Sequence, residues 1–91
     1  MDVSVVGVVG AGFMGSGIAE SASAAGKRVV LFEPSEAPLE RSRQMLAAAL
    51  ERAVGRSRLS RDDAEAQAAR VSYTTRFEDL AEADAVEIAH S

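Results

Sequence analysis

A chain of 91 residues with a formal net charge of −4 and 47% apolar content has the size of one small domain, and its acidic balance excludes nucleic acid as the main partner. It has no cysteine, so a disulfide framework, a thiol nucleophile and a thiolate metal site are all excluded. The apolar runs 3–9 and 29–32 are far shorter than the ~20 residues that cross a bilayer, and Met1-Asp2 lacks the flank of a secretory signal, so a cytoplasmic protein without membrane contact is expected.

Val3-Ser4-Val5-Val6-Gly7-Val8-Val9 is β-branched without polar alternation, the pattern of a strand covered on both faces. Residues Gly10 to Gly15 turn the chain. From Phe13 to Ala25, the residues Met14, Ile18, Ala22 and Ala25 recur at helical spacing as an apolar stripe of the kind that faces a core. Gly26 stands where a helix C-cap belongs. Val29-Val30-Leu31-Phe32 reads as a second covered strand, stopped by Glu33-Pro34. Ser35 is placed to cap a long helix with Leu39, Leu46, Leu50 and Ala53/Val54 along one stripe. Pro38 is tolerated in its first turn, and Gly55 is expected to end it. Ser60-Arg61-Asp62-Asp63 resembles a capping box, with Asp for the usual Glu, opening an alanine-rich helix to about Arg70. Residues 71–74 form a third strand, 76–84 a short helix and 85–89 a fourth strand. This alternation predicts an α/β domain with a parallel sheet and right-handed crossovers.

Gly10-Ala11-Gly12-Phe13-Met14-Gly15 reads G-x-G-x-x-G. It follows a covered strand, opens a helix and lies in a strand-helix-strand unit of roughly 30 residues. Glu33 closes the next strand about 20 residues further on. A glycine-rich turn alone is often only a turn, and a lone Glu33 only a solvated carboxylate. Strand, helix, spacing and acid together point to a dinucleotide. Gly10 permits the tight turn, Gly12 removes a Cβ that would meet a pyrophosphate, and Gly15 lets helix and strand approach closely. The helix N-terminus then faces the phosphates. Glu33 can accept both hydroxyls of the adenosine ribose. It repels a 2′-phosphate, and no arginine follows at once in Glu33-Pro34-Ser35-Glu36-Ala37, so NAD is preferred over NADP. The cofactor-binding set is Gly10, Ala11, Gly12, Phe13, Met14, Gly15 and Glu33, with no metal site. The expected fold is a Rossmann-type, partial doubly wound parallel sheet of about four strands, order 3-2-1-4, with helices on both faces.

The runs VGVVGAGFMGSGIAE, AGKRVVLFEPSEAPLERS, LERAVGRSRLSRDDAE and YTTRFEDLAEAD resemble the amino-terminal domain of 3-hydroxyacyl-CoA dehydrogenases, above all the bacterial 3-hydroxybutyryl-CoA dehydrogenases. The similarity extends to about Val86. It implies NAD(H) at Gly10–Gly15 and Glu33, and oxidation of a 3-hydroxyacyl-CoA to the 3-oxoacyl-CoA in fatty acid metabolism. Relatives touch coenzyme A with a serine and a lysine near the end of the second helix, and the matching positions here are Ala49 and Arg56. The serine contact is thus lost, whereas the basic one can survive in Arg56, beside Arg52, Arg58 and Arg61. The plain alternative for these arginines is a solvated inter-helix turn.

The fourth strand departs from the family. Relatives read D-x-V-I-E-A-V-x-E where this chain has Asp84-Ala85-Val86-Glu87-Ile88-Ala89-His90-Ser91. Exchange of Ile and Glu moves their side chains to opposite faces, so Glu87 is expected where an apolar residue is wanted, at a cost if buried unpaired. In the family the catalytic histidine, its orienting glutamate and a helical dimerisation domain come from later segments. His90 matches no family motif and is given no catalytic role. The expectation is therefore a single dinucleotide-binding domain over 1–91, a fragment incapable of turnover alone. The alternatives are an inert nucleotide-binding module attached to another chain through its fourth-strand edge, and a flavin-binding fragment.

Overall fold

The computed structural model describes residues 3–89, so His90 lies outside the described residues. Four strands, β1 (Val5–Val9), β2 (Arg28–Phe32), β3 (Val71–Thr74) and β4 (Ala85–Ile88), form one parallel sheet in the order β3-β2-β1-β4. The expected order 3-2-1-4 is the observed one. Helices α1 (Phe13–Ala24), α2 (Glu36–Gly55) and α3 (Arg61–Ala69) connect the first three strands, and a 3-10 helix, Phe77–Glu82, precedes β4. Among the described residues no helix is long and apolar enough to cross a membrane.

The β-branched strands are buried on both sides, as their unalternating sequence requires. Val6, Val8, Val29, Leu31 and Val71 pack with Ala19 of α1, Leu39, Leu46 and Leu50 of α2, and Ala64 of α3. On the other face Val5 and Val30 meet Leu80 of the 3-10 helix. Val8 and Leu31 are register partners at the centre, both fully buried. Burial of side chains of this size is worth about 1.5–3 kcal/mol each. The Arg43 guanidinium lies 4.5 Å over the Tyr73 ring and ties α2 to the outer strand β3.

Several local expectations are corrected. In α1 the buried residues are Gly15, Ser16, Ala19 and Ser23; Met14 and Ala25 are exposed, and Ile18 and Ala22 only half-buried. The helix lies so close to the sheet that small residues must form the contact. Two of them also hydrogen-bond: Ser16 with Ser42 of α2 at 2.7 Å, and Ser23 with the Gln67 Nε2 of α3 at 3.1 Å. Gly26 does end α1, at φ +89°, with the Gly26 and Lys27 N–H groups donating to the Ser23 and Ala22 carbonyls. Gly55 ends α2 as expected, being its last helical residue, and Ser57 two positions on takes the left-handed conformation at φ +56°. Ser35 occupies the N-cap of α2 without a side-chain bond, whereas Ser60 Oγ accepts from the Asp63 N–H at 3.1 Å.

The fourth strand brings a further correction. Glu87 is exposed, not buried, because no helix covers that part of the sheet. It lies beside an open groove with Val6, Met14, Ile18 and Lys27. On the opposite face Val86 and Ile88 remain 48% and 66% exposed. Exchange of Ile and Glu thus shows as unburied apolar surface, with no buried charge.

The first strand begins at Val5, not Val3, because the Asp84 carboxylate takes the adjacent amides. Its Oδ2 accepts from both the Ser4 and Val5 N–H groups at 2.9 Å, clamping the start of β1 to that of β4. The Val5 and then the Ser4 amide hold the Asp84 carboxyl below its ordinary range. A folded pKa lower than the unfolded one adds stability above the unfolded value, and the gain is lost as pH falls through the folded value. Asp84→Ala should therefore lower the melting temperature at neutral pH. The gap to wild type should close in acid, and a gap independent of pH in thermal melts would refute the clamp.

Candidate functional site

The site begins where β1 ends. Gly10 adopts φ +108°, and a Cβ there would meet the Ala89 carbonyl oxygen at 2.8 Å. Its N–H donates to the Phe32 carbonyl at 2.9 Å, and the next amide, Ala11, donates to Glu33 Oε2 at 3.1 Å. Gly12 is extended, at φ −79° and ψ −160°, and α1 starts at Phe13. Gly15 explains how tightly this is built. A Cβ on it would lie 1.8 Å from the Gly10 carbonyl oxygen, an impossible approach.

The charge at the helix start is equally informative. Helix α2 carries Glu36 in its first turn, and α3 carries Asp62 and Asp63. Helix α1 has neither an acidic residue in its first turn nor a side-chain cap. Its N–H groups and positive dipole end are thus left for a bound anion.

A cleft of about 660 Å³ opens beside this end. Ala11, Gly12, Phe13 and Glu33 of the fingerprint all line it. Gly10 and Gly15 stand behind as backbone architecture, while Met14 faces the separate groove beside Glu87. The opposite wall was not foreseen: Pro38, Arg41, Gln44, Met45 and Ala48 of α2. Their signal was present as a second stripe, three and four residues apart, next to the buried Leu39–Leu46–Leu50 row.

From the cleft a furrow follows α1 and α2. A depression of about 300 Å³ shares Phe13, Met45 and Ala48 with the cleft and adds Glu20, Ala49 and Arg52. A smaller one, about 220 Å³, continues to Arg56 and Arg58. The fold therefore brings Ala49 and Arg56 together, with Arg52 and Arg58 alongside, whereas Arg61 is occupied by Glu51.

Comparison with known proteins decides the family. The family described as 3-hydroxyacyl-CoA dehydrogenase, NAD binding domain, matches residues 5–89. The chain belongs to it.

A 3-hydroxybutyryl-CoA dehydrogenase of Mycobacterium tuberculosis is 42% identical over 77 residues, covering 85% of this chain and 27% of that protein. Among solved structures, M. tuberculosis FadB2 superposes with a TM-score of 0.95 at 37% identity, over 100% of this chain and 32% of that one. An Escherichia coli 3-hydroxybutyryl-CoA dehydrogenase gives 0.95 at 36% identity, over 100% and 19%. The chain thus spans about a third or less of these relatives. Membership makes the nucleotide NAD and sets the flavin reading aside. The 3-hydroxyacyl-CoA dehydrogenase fingerprint suits that cofactor here: a glycine turn, an unneutralised helix end and an acid on one cleft.

Two glycines two positions apart on α1 should behave oppositely. Gly15→Ala forces the helix off the strand and should cost about 3 kcal/mol or more. A Cβ on Gly17, near Gly15 on the same helix, meets nothing within 4 Å, so Gly17→Ala should stabilise by up to ~1 kcal/mol through helix propensity. Chemical denaturation of both variants checks this, and similar midpoints would contradict the close approach.

Proposed function

We propose that Gly10–Gly15 and Glu33 hold NAD, and that the chain is the cofactor platform for oxidation of a 3-hydroxyacyl-CoA to its 3-oxoacyl-CoA. The observation that carries this reading is the unneutralised N-terminus of α1 opening on the cleft that Glu33 lines. The backbone amides at the start of α1 would receive the pyrophosphate, and Glu33 would accept the adenosine ribose hydroxyls. NAD, when bound, supplies the hydride acceptor. The chain's own residues bind and orient it, and no described residue is assigned as the base that takes the hydroxyl proton. A cytoplasmic setting is part of the same proposal.

The furrow supports a place for the acyl-CoA. Its far end is lined by Arg52, Arg56 and Arg58, suited to the phosphates of coenzyme A, although Glu20 also borders it. Arg56 is exposed, so its share is modest: an exposed ion pair is worth about 0.2–1 kcal/mol.

Calorimetric titration tests both parts. NAD should bind, and NADP should bind at least about tenfold more weakly, a difference of ~1.4 kcal/mol. Arg41 lines the same cleft as Glu33, which makes the comparison a direct contest between the acid and that cation. Heat with NADP but none with NAD would overturn the role of Glu33. Arg56→Ala should weaken acetoacetyl-CoA binding about two- to fivefold and leave NAD unaffected.

One observation favours a second reading, a nucleotide-binding module that associates with another polypeptide. Val86, Ile88 and Phe77 are exposed by 48%, 66% and 63%, on an edge strand and the 3-10 helix beside it. Sedimentation velocity examines its self-association form: a monomer at all accessible concentrations would remove that form.

A further inference from the structure

One carboxylate oxygen of Glu33 is already engaged. Oε2 accepts the Ala11 N–H at 3.1 Å, a contact between residues 22 positions apart. The preceding amide, Gly10 N–H, donates to the Phe32 carbonyl at 2.9 Å. The turn is thus fastened to the end of β2 at two successive amides, once through backbone and once through a side chain. Oε1 takes no hydrogen bond among the described residues. The charged acceptor makes the Ala11 bond stronger than a neutral pair would be. It acts on a segment flanked by two glycines, the residues with the most backbone freedom to lose on ordering.

We propose that Glu33 is a positioning residue for the glycine turn as well as a ribose acceptor: through Oε2 it latches the Ala11 peptide, so that the turn holds its nucleotide-receiving shape before any ligand arrives. The ligand side of this inference rests on the dinucleotide reading above. The latch divides the work of one carboxylate. Oε2 faces the turn and fixes it, and Oε1 is left for a ligand hydroxyl. The same bond spends the Ala11 N–H internally, so the donors offered to a phosphate begin at Gly12.

Two substitutions separate the latch from the ribose contact and from charge. Glu33→Gln and Glu33→Ala both remove the negative charge, but only glutamine keeps an acceptor oxygen. Inorganic pyrophosphate, which has no ribose, is the probe. Glu33→Gln should bind it about two- to tenfold more tightly than Glu33→Ala, the range of one net hydrogen bond. In the nucleotide-free protein, hydrogen exchange at the Ala11 amide should be about tenfold faster in Glu33→Ala than in wild type, and largely restored in Glu33→Gln. The Val8 amide at the core reports that each variant remains folded. Equal Ala11 exchange in wild type and Glu33→Ala, or equal pyrophosphate affinity in the two variants, overturns the latch. Failure of wild type to bind NAD would instead refute the dinucleotide reading, and Ala11 exchange would still decide the latch.

Discussion

The missing side chain at residue 15 is the constraint on which this fold and its site depend. Helix α1 can begin directly over the end of β1 only because no Cβ stands between it and the Gly10 carbonyl, where one would lie 1.8 Å away. That approach selects the rest of the interface. Ser16, Ala19 and Ser23 are small enough to lie under the helix, and the two serines are buried without penalty because each finds a partner. The approach also sets the helix end one short turn from β1, close enough for Glu33, just past the neighbouring strand β2, to reach the Ala11 amide.

Much of this was legible in the sequence because it follows from local rules. Unalternating β-branched runs placed the strands, and the order β3-β2-β1-β4 follows from right-handed crossovers around the first strand. The fingerprint put Ala11, Gly12, Phe13 and Glu33 on one cleft. What escaped depended on distances between elements. Apolar periodicity assigned Met14, Ile18, Ala22 and Ala25 to the core of α1, but periodicity reports hydrophobicity, and this interface is governed by side-chain volume. Gly55 ends α2 as read, but the left-handed residue beyond the helix is Ser57 and not a glycine, since serine at such a position costs only about 1–2 kcal/mol.

The misjudged Glu87 has a similar origin. A strand rule assigns alternating faces, but whether a face is dry depends on what lies over it. In the structure neither face of β4 is closed: Glu87 borders the groove beside α1, while Val86 and Ile88 face solvent opposite. The far wall of the cleft beside α1 was not legible for the same reason. Arg41 and Met45 belong to a stripe of α2 that is neither core nor plain solvent face, and only the placement of α1 gives it a neighbour.

The three helix starts, taken together, show how stability and function were divided. Helices α2 and α3 have acidic first turns, and α3 has a serine cap as well. Such a cap is worth about 1 kcal/mol and a first-turn acid about 0.3–1 kcal/mol. Helix α1 does without both. In a chain of this size that sacrifice is a large fraction of the total stability, which for small domains is only about 5–15 kcal/mol. It is rational only if something outside the helix supplies the missing negative charge. A carboxylate at Gly12 or Phe13 would have stabilised the empty fold and competed with a phosphate. Glu33 avoids that conflict, because it is held just past the end of β2 and meets the turn at Ala11, one residue before α1's own unbonded amides begin. The positive end of the helix stays unneutralised, and the turn leading into it still has an anionic partner.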